Sequence, residues 1–337
     1  MPTIHRAPLT ACGSTPNLPS TGCRIPGARG LPPGDRGLPP GDRGLSPGDG
    51  GLPFASLASA SEHGRSADET QVHVRRGEGF VGRPYADALL AGVAARLPGM
   101  ELDDVPQLMS RVDRKYIVTA ATMSHLAAEL GDRFQVLRID GRRQFRYTST
   151  YYDTPDLLTY HHHRQDRRRR FKLRTRTYLD GGGHWLELKL SGARGSTDKH
   201  RIPYDGAPGQ PLTEEALDFA RDTLLKELHL VAPEPLQPVL ATDYRRVTFI
   251  DQSGGARLTC DTGLVCRDGH RRAPARGDLV LLESKSVDGR ALADKVLRGL
   301  GVRPVSVSKY CLAVAALRAQ PANRWHPILH RYLLPAG

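Results

Sequence analysis

Polar and apolar positions alternate with a period of two along three short stretches of the chain, the repeat of a β-strand whose faces meet different surroundings. In Phe171–Leu179, Lys172, Arg174 and Arg176 fall on one side, and Leu173, Thr175, Thr177 and Leu179 on the other. In Trp185–Leu190, Glu187 and Lys189 oppose Leu186, Leu188 and Leu190; in Leu279–Ser286, Glu283 and Lys285 oppose Val280, Leu282 and Ser284. A lone strand of this kind usually turns its charges to water. Several antiparallel strands that each carry cations and a single Glu can instead close into a barrel with a polar bore, their apolar faces covered by helices.

The same reading predicts strands over Arg111–Val118, Phe134–Ile139, Phe145–Asp153, Thr197–Tyr204, Val239–Ile250 and Ala256–Asp261 in addition to those three. Helices are predicted over Tyr85–Leu97, Thr122–Leu130, Pro155–His161, Thr213–Leu230, Arg290–Leu300 and Ser308–Leu317, with Thr213 and Ser308 as N-cap candidates. Hairpin-linked strands with helices between them point to an α+β fold, an antiparallel β-barrel tunnel with helices packed outside, rather than to a doubly wound parallel sheet.

Ahead of this region, 22 of the first 53 residues are Gly or Pro, and a seven-residue unit recurs at Gly30, Gly37 and Gly44. Too few apolar side chains are present to offset an ordering cost of roughly 1–2 kcal/mol per residue. Residues 1–84 therefore read as a disordered Gly/Pro-rich tail, 85–320 as the folded domain and 321–337 as a C-terminal extension.

Net charge sharpens the picture. At +12 over 337 residues the chain should meet an anion: nucleic acid, phosphorylated metabolites, polyphosphate or a membrane surface. Aromatic residues make up only 6% and few sit among the basic positions, so base stacking is a poor binding principle and nucleic acid is not expected. Five cysteines without CxxC spacing (Cys12, Cys23, Cys260, Cys266, Cys311) suggest neither a disulfide framework nor a zinc site. With no transmembrane segment or signal peptide in view, the expected location is cytoplasmic.

Candidate chemistry concentrates on the charged strand faces. Lys115, Lys172, Arg174, Arg176, Lys189, Lys199, Arg201, Arg246 and Arg257 are candidate phosphate ligands, with Lys285 and Lys309 as further members. Such a face repels itself by about 1 kcal/mol per close exposed pair unless an anion is present. Glu283 sits in the apolar run Leu279-Val-Leu-Leu-Glu-Ser-Lys, where a carboxylate needs either a salt bridge or a divalent ion completed by phosphate oxygens, and Glu187 is a weaker candidate for the same task. Lys309 opens a helix whose N-terminus is already partly positive, a conflict that a bound anion resolves. Arg167–Arg170 reads as a solvated turn or as a patch where substrate enters, and the consecutive imidazoles His161–His163 point too far apart to share one tetrahedral metal.

Taken in order, Arg111-Val-Asp-Arg-Lys115-Tyr116, Tyr151-Tyr-Asp-Thr154, Lys172-Leu-Arg174-Thr-Arg176-Thr-Tyr178, Glu187-Leu-Lys189, Lys199-His-Arg201, Asp243-Tyr-Arg-Arg246, Arg257-Leu-Thr-Cys-Asp261, Leu282-Glu283-Ser-Lys285 and Ser308-Lys309-Tyr310 resemble the catalytic domain of the vacuolar transporter chaperone (VTC) polyphosphate polymerases, in the triphosphate tunnel metalloenzyme superfamily. The resemblance covers about residues 108–320. It implies a tunnel in which basic residues hold ATP and a growing polyphosphate chain, with Lys115, Arg174, Arg176, Lys189, Lys199, Arg246, Arg257 and Lys309 as phosphate ligands and Glu283 as the ligand of Mn²⁺ or Mg²⁺. The implied reaction moves the γ-phosphoryl group of ATP onto polyphosphate, with Lys309, Glu283, Arg174 and Arg176 as its catalytic set. The alternatives are a tripolyphosphatase or nucleoside triphosphatase of the same fold, or a non-catalytic polyanion-binding module. The related CYTH branch opens with Glu-x-Glu-x-Lys, whereas this chain has Val112-Asp-Arg-Lys115. The inositol-phosphate-sensing domain and transmembrane helices of the eukaryotic family are not found in this sequence, so coupling of synthesis to membrane translocation is unsupported. Any product is expected to stay on the cytoplasmic side unless a partner exports it, and a membrane partner is left open.

Overall fold

A computed structural model describes residues 85–336 apart from 107, 109, 110 and 192–196. These residues fall in the compact unit Pro47–Gly337; the other unit, Met1–Ser46, and the rest of the expected tail lie outside the described residues. In chain order the elements are α1 (Tyr85–Arg96), β1 (Gly99–Glu101), β2 (Val112–Thr119), α2 (Ala120–Leu130), β3 (Phe134–Arg138), β4 (Phe145–Asp153), α3 (Leu158–Arg164), β5 (Arg170–Tyr178), β6 (His184–Ser191), β7 (Thr197–Pro203), α4 (Glu214–Leu228), β8 (Gln237–Asp251), β9 (Ala256–Asp268), β10 (Arg271–Pro274), β11 (Leu279–Ser286), α5 (Leu292–Gly299), α6 (Lys309–Leu317) and α7 (His326–Tyr332). Every strand and helix expected from the pattern is present. None of the described helices is long and apolar enough to cross a membrane.

Local chemistry sets the boundaries. Thr119 caps α2 by accepting from the Thr122 N–H at 3.1 Å, and the helix stops at Gly131, whose φ of 47° suits glycine. Thr213 caps α4, with Glu214 and Glu215 in the first turn where the helix dipole favours them. Helix α3 starts later than expected, because 154–157 form a turn with Leu157 in the left-handed region. Its N-terminus is satisfied from the preceding strand: the Asp153 carboxylate accepts from the N–H groups of Thr159 (2.9 Å) and Tyr160 (3.0 Å).

The strands form one sheet in the order β2-β11-β9-β8-β4-β5-β6-β7, every neighbour antiparallel; β3 and β10 join β8 and β9, and β1 pairs with β3 in parallel. Register shifts in β4–β8 and β8–β9 mark bulges, which bend strands. The curl is strong enough that Lys189 on β6 senses the charges of Lys115 and Asp113 on β2 and of Glu283 and Lys285 on β11, although β6 and β2 lie near opposite ends of the strand order. The expected closed barrel is nonetheless not formed: among the described residues no ladder joins β2 to β7. The free edge of β2 is engaged instead by the segment leading into α6, Val305 N–H donating to the Lys115 carbonyl at 2.7 Å.

Alternation gives the sheet two different faces. On the outer one, Tyr116, Val118, Val247, Phe249, Leu258, Val280 and Leu282 pack against α1, α2 and α5. Further along, Phe171, Leu173, Leu186, Leu188 and Leu190 pack against α4. The inner face carries Ile117, Tyr147, Tyr151, Tyr178, Tyr244 and Leu281, and these meet α6. That corrects the expectation that all helices lie outside. Residues Tyr310–Ala315 and Leu317 of α6 are all buried, and a helix that is apolar all round must be enclosed rather than laid on a surface. Residues 321–336 join the same core through Trp325, Tyr332 and Leu333.

Candidate functional site

Register arranges the charged residues in rows across the inner face. Arg174 on β5 stands opposite Glu187 on β6, which stands opposite Arg201 on β7; one step along, Lys172, Lys189 and Lys199 form the next row. On the other flank, Lys115, Glu283 and Thr259 form one row across β2, β11 and β9, and Asp113, Lys285 and Arg257 another. Arg246 on β8 faces Asp261 on β9. Lys309, the first residue of α6, reaches the same Asp261 from above the sheet, so all eleven expected cations and both expected glutamates come to one side.

Four carboxylates contact these cations: Asp113 pairs with Lys285 at 3.3 Å, and Glu187, Asp261 and Glu283 hold others. Glu187, only 2% exposed, accepts from Arg174 Nε (2.7 Å) and Lys199 Nζ (3.0 Å), with Arg176 at 3.8 Å. Burial opposes its charge, but Arg174, Arg176 and Lys199 together hold the carboxyl well below the usual range. Asp261 takes both prongs of Arg246, at 2.6 and 2.9 Å, as well as the Lys309 ammonium. Glu283 is held more loosely, with Lys285 at 3.2 Å and Lys115 at 3.8 Å, and keeps 18% of its side chain accessible. Against burial, Lys285, Lys115 and Lys189 also keep it ionised.

Below the cations lies a floor of aromatic rings. The Arg174 guanidinium is 5.8 Å from the Tyr151 ring, that of Arg246 is 5.5 Å from both Tyr147 and Tyr244, and the Lys309 ammonium is 4.3 Å from Tyr244. Arg201 stacks at 4.8 Å on Trp185. Ring quadrupoles hold such cations without consuming their N–H donors. Arg176 Nε, Arg201 Nη1 and Arg257 Nε are buried with no hydrogen-bond partner in the protein, a state that an anion relieves. Three lysines are under the same pressure: burial, reinforced by neighbouring cations, pulls Lys172 down to about 7 and Lys189 to about 8. Burial also lowers Lys199 to about 8, against the pull of Glu187.

The two glutamates considered as metal ligands differ. The Glu187 oxygens are saturated by guanidinium and ammonium groups, which does not fit a metal ligand; Glu283, loosely paired and partly open, does. Among the described residues no three His, Cys, Asp or Glu gather into a complete shell. One carboxylate, with the remaining positions left to phosphate oxygens and water, is the donor set that Mg²⁺ or Mn²⁺ accepts beside a phosphorylated substrate.

Several residues that matter here were not singled out from the sequence: Asp261, Asp113 and the tyrosine floor. The signal existed, since Arg257, Thr259 and Asp261 share one strand face at i, i+2 and i+4. His163 takes no part in a metal cluster. Its Nε2 lies 3.0 Å from the Phe171 carbonyl and 2.9 Å from Lys172 Nζ, and burial, with the Lys172 charge, pushes the ring down to about 2, so the imidazole is neutral and Nε2 either donates to the carbonyl or accepts from Lys172. Cys260, Cys266 and Cys311 are buried thiols raised by desolvation, and none is poised as a nucleophile.

No curated protein matches the chain. Among solved structures, it is similar to a putative adenylate cyclase from Bacillus halodurans, at 13% identity over 59% of this chain and 94% of the other, with a TM-score of 0.38. A putative adenylyl cyclase from Hippeastrum, described as having a dominant triphosphatase activity, aligns at 14% identity over 62% and 95%, TM-score 0.38. The S. pombe RNA triphosphatase Pct1 aligns at 12% identity over 60% and 72%, TM-score 0.22. The family model of the VTC domain matches residues 110–318, the span that contains every cation and carboxylate of the inner face, and the chain belongs to that family.

Proposed function

We propose that the protein is a metal-dependent polyphosphate polymerase: the terminal oxygen of a polyphosphate chain attacks the γ-phosphorus of ATP, the bond to the β,γ-bridging oxygen breaks, and ADP leaves with the electron pair. The observation that carries this reading is the donor set of the inner face. Eleven cations surround a few carboxylates, and three buried guanidinium N–H groups have no protein acceptor. Phosphoryl transfer requires alignment and charge neutralisation rather than a protein nucleophile, and this set supplies both. In this reading Arg174, Arg176 and Lys309 clamp the transferring group. Lys115, Lys172, Lys189, Lys199, Arg201, Arg246, Arg257 and Lys285 hold the remaining phosphates. Glu283 would hold the divalent ion, which when bound neutralises charge on the triphosphate.

A hydrolase of the same fold would use the same cations and divalent ion, with water in place of the chain end as acceptor. A polyphosphate end is already an anion, whereas water gives up a proton as it attacks, and Lys172, at about 7, is a candidate to take it. Product chain length separates the two readings. The test is to incubate the full chain with ATP and Mn²⁺ or Mg²⁺, with and without a short polyphosphate primer, and to resolve the products by size. Long, metal-dependent chains are expected. Free phosphate without chains would assign a phosphohydrolase, and no turnover would leave a polyanion-binding module.

A further inference from the structure

The cation ladder of β5 does not stop at the site. Arg176, Arg174 and Lys172 share a face with Arg170, the first residue of the strand, so the spacing of two continues one rung past Lys172. The Arg170 side chain is 22% exposed, yet its Nε is buried with no protein partner, as Arg176 Nε is deeper in. Beyond it the chain turns through Arg167, Arg168 and Arg169, all exposed. Arg170 Nη1 donates to the Arg167 carbonyl, which ties the turn to the end of the ladder.

Little opposes this charge. Asp166 is the carboxylate of the turn, and Arg324 and Arg170 already occupy it at 3.4 and 3.0 Å; the Arg324 hydrogen bond holds it below its ordinary range. Among the described residues no carboxylate pairs with Arg168 or Arg169. The segment Arg164-Gln-Asp-Arg-Arg-Arg-Arg170 holds no aromatic ring on which a base could stack.

We infer that Arg170 and the exposed Arg167–Arg169 turn form an outer track for a linear inorganic polyphosphate chain, continuous with the inner site along β5 and engaged only by chains longer than the site itself. The inference rests on the proposed function in that it takes the inner face to hold phosphates. It adds where a long chain runs outside, and it assigns a role to an arginine cluster that the inner site does not use.

The test uses the full chain and a variant with Arg167→Ser, Arg168→Ser and Arg169→Ser, all exposed positions outside the inner site, with matching melting temperature checked first. Binding of tripolyphosphate and of a polyphosphate several tens of units long is measured over a range of salt concentrations. Each cation–phosphate contact on a flexible chain contributes about 0.7 to the slope of log affinity against log salt, so the variant should lose about 2 from the long-chain slope and nothing from the tripolyphosphate slope. An unchanged long-chain slope beside normal tripolyphosphate binding would overturn the track alone. Equal losses for both probes would also overturn it, since the arginines would then act through the general field. A single-stranded RNA of equal length that loses as much slope as polyphosphate would replace the track by an unselective basic patch. Failure of the wild-type chain to bind tripolyphosphate at all would overturn the proposed function first, and the track with it.

Discussion

Replacing Glu187 by Gln sets folding against binding in a way that only an anion site allows. The carboxylate is 2% exposed and faces Arg174, Lys199 and Arg176 at 2.5, 3.0 and 3.8 Å. Removing one member of a buried ion pair costs about 3–5 kcal/mol. Arg174 and Lys199 are 22% and 28% exposed and can partly rehydrate, so the lower end, about 3 kcal/mol, is expected. For a domain of this size that lowers the melting temperature by roughly 6–12 °C. The freed cations should then bind tripolyphosphate about tenfold more tightly, from a charge change near 5 Å at an effective dielectric near 20, reduced by screening. Thermal melts with increasing tripolyphosphate measure both effects, and the stabilisation by ligand should be larger in the variant. The pH dependence follows the same logic. A carboxyl depressed in the folded state contributes stability above its unfolded pKa and loses it as pH falls towards the folded value, so the wild type should weaken in acid more steeply than Glu187→Gln. A variant that melts like the wild type, or that binds tripolyphosphate more weakly, would refute the reasoning.

Glu283→Gln should abolish metal-dependent ATP turnover while shifting the melting temperature less than Glu187→Gln, because its pairs are longer; turnover near the wild-type rate would remove its metal role. Bound polyphosphate should return protons to Lys172, at about 7, and to Lys189 and Lys199, at about 8, so affinity should fall as pH rises from 7 to 9. Titration calorimetry at pH 8 in buffers of different ionisation enthalpy should report net proton uptake, and none would contradict the burial of these amines. Asp153→Asn should destabilise by about 1–3 kcal/mol, since the carboxylate accepts from Thr159, Tyr160 and Tyr310 together; chemical denaturation checks it, and a neutral result would exclude Asp153 as the tie between α3 and α6.

The inner face was legible because strand geometry enforces a period of two, so Lys172, Arg174 and Arg176, or Glu283 and Lys285, could only emerge on one side. Which strands adjoin followed less directly, and whether the sheet closes did not follow at all. Closure is a matter of how the first and last strands meet in the tertiary fold, where Val305 rather than another strand hydrogen-bonds the β2 edge at Lys115, and no local pattern encodes that. The position of α6 was legible in principle from the apolar run Tyr310–Leu317, but the polar start at Ser308 and Lys309 gives the helix the look of one that ends at a surface. Strand β10 and helix α7 are four and seven residues long, too short for periodicity to resolve. Asp261 was hidden by its neighbours: a single acid among Leu, Thr and Cys looks like a strand end until Arg246 and Lys309 arrive from elsewhere in the chain.

Because the sheet stays open, β7 is left with β6 as its ladder partner among the described residues, and an unpaired edge invites a second chain to add a strand. The sequence of that edge, Thr197-Asp-Lys-His-Arg-Ile-Pro203, discourages such addition with charges and a terminal proline. Lys199 and Arg201 therefore guard solubility as well as facing the site. Neutral apolar replacements there would promote self-association, and a sample lost to aggregates would mimic lost affinity. Mapping of this strand calls for Lys199→Gln and Arg201→Gln, with light scattering recorded beside every binding curve.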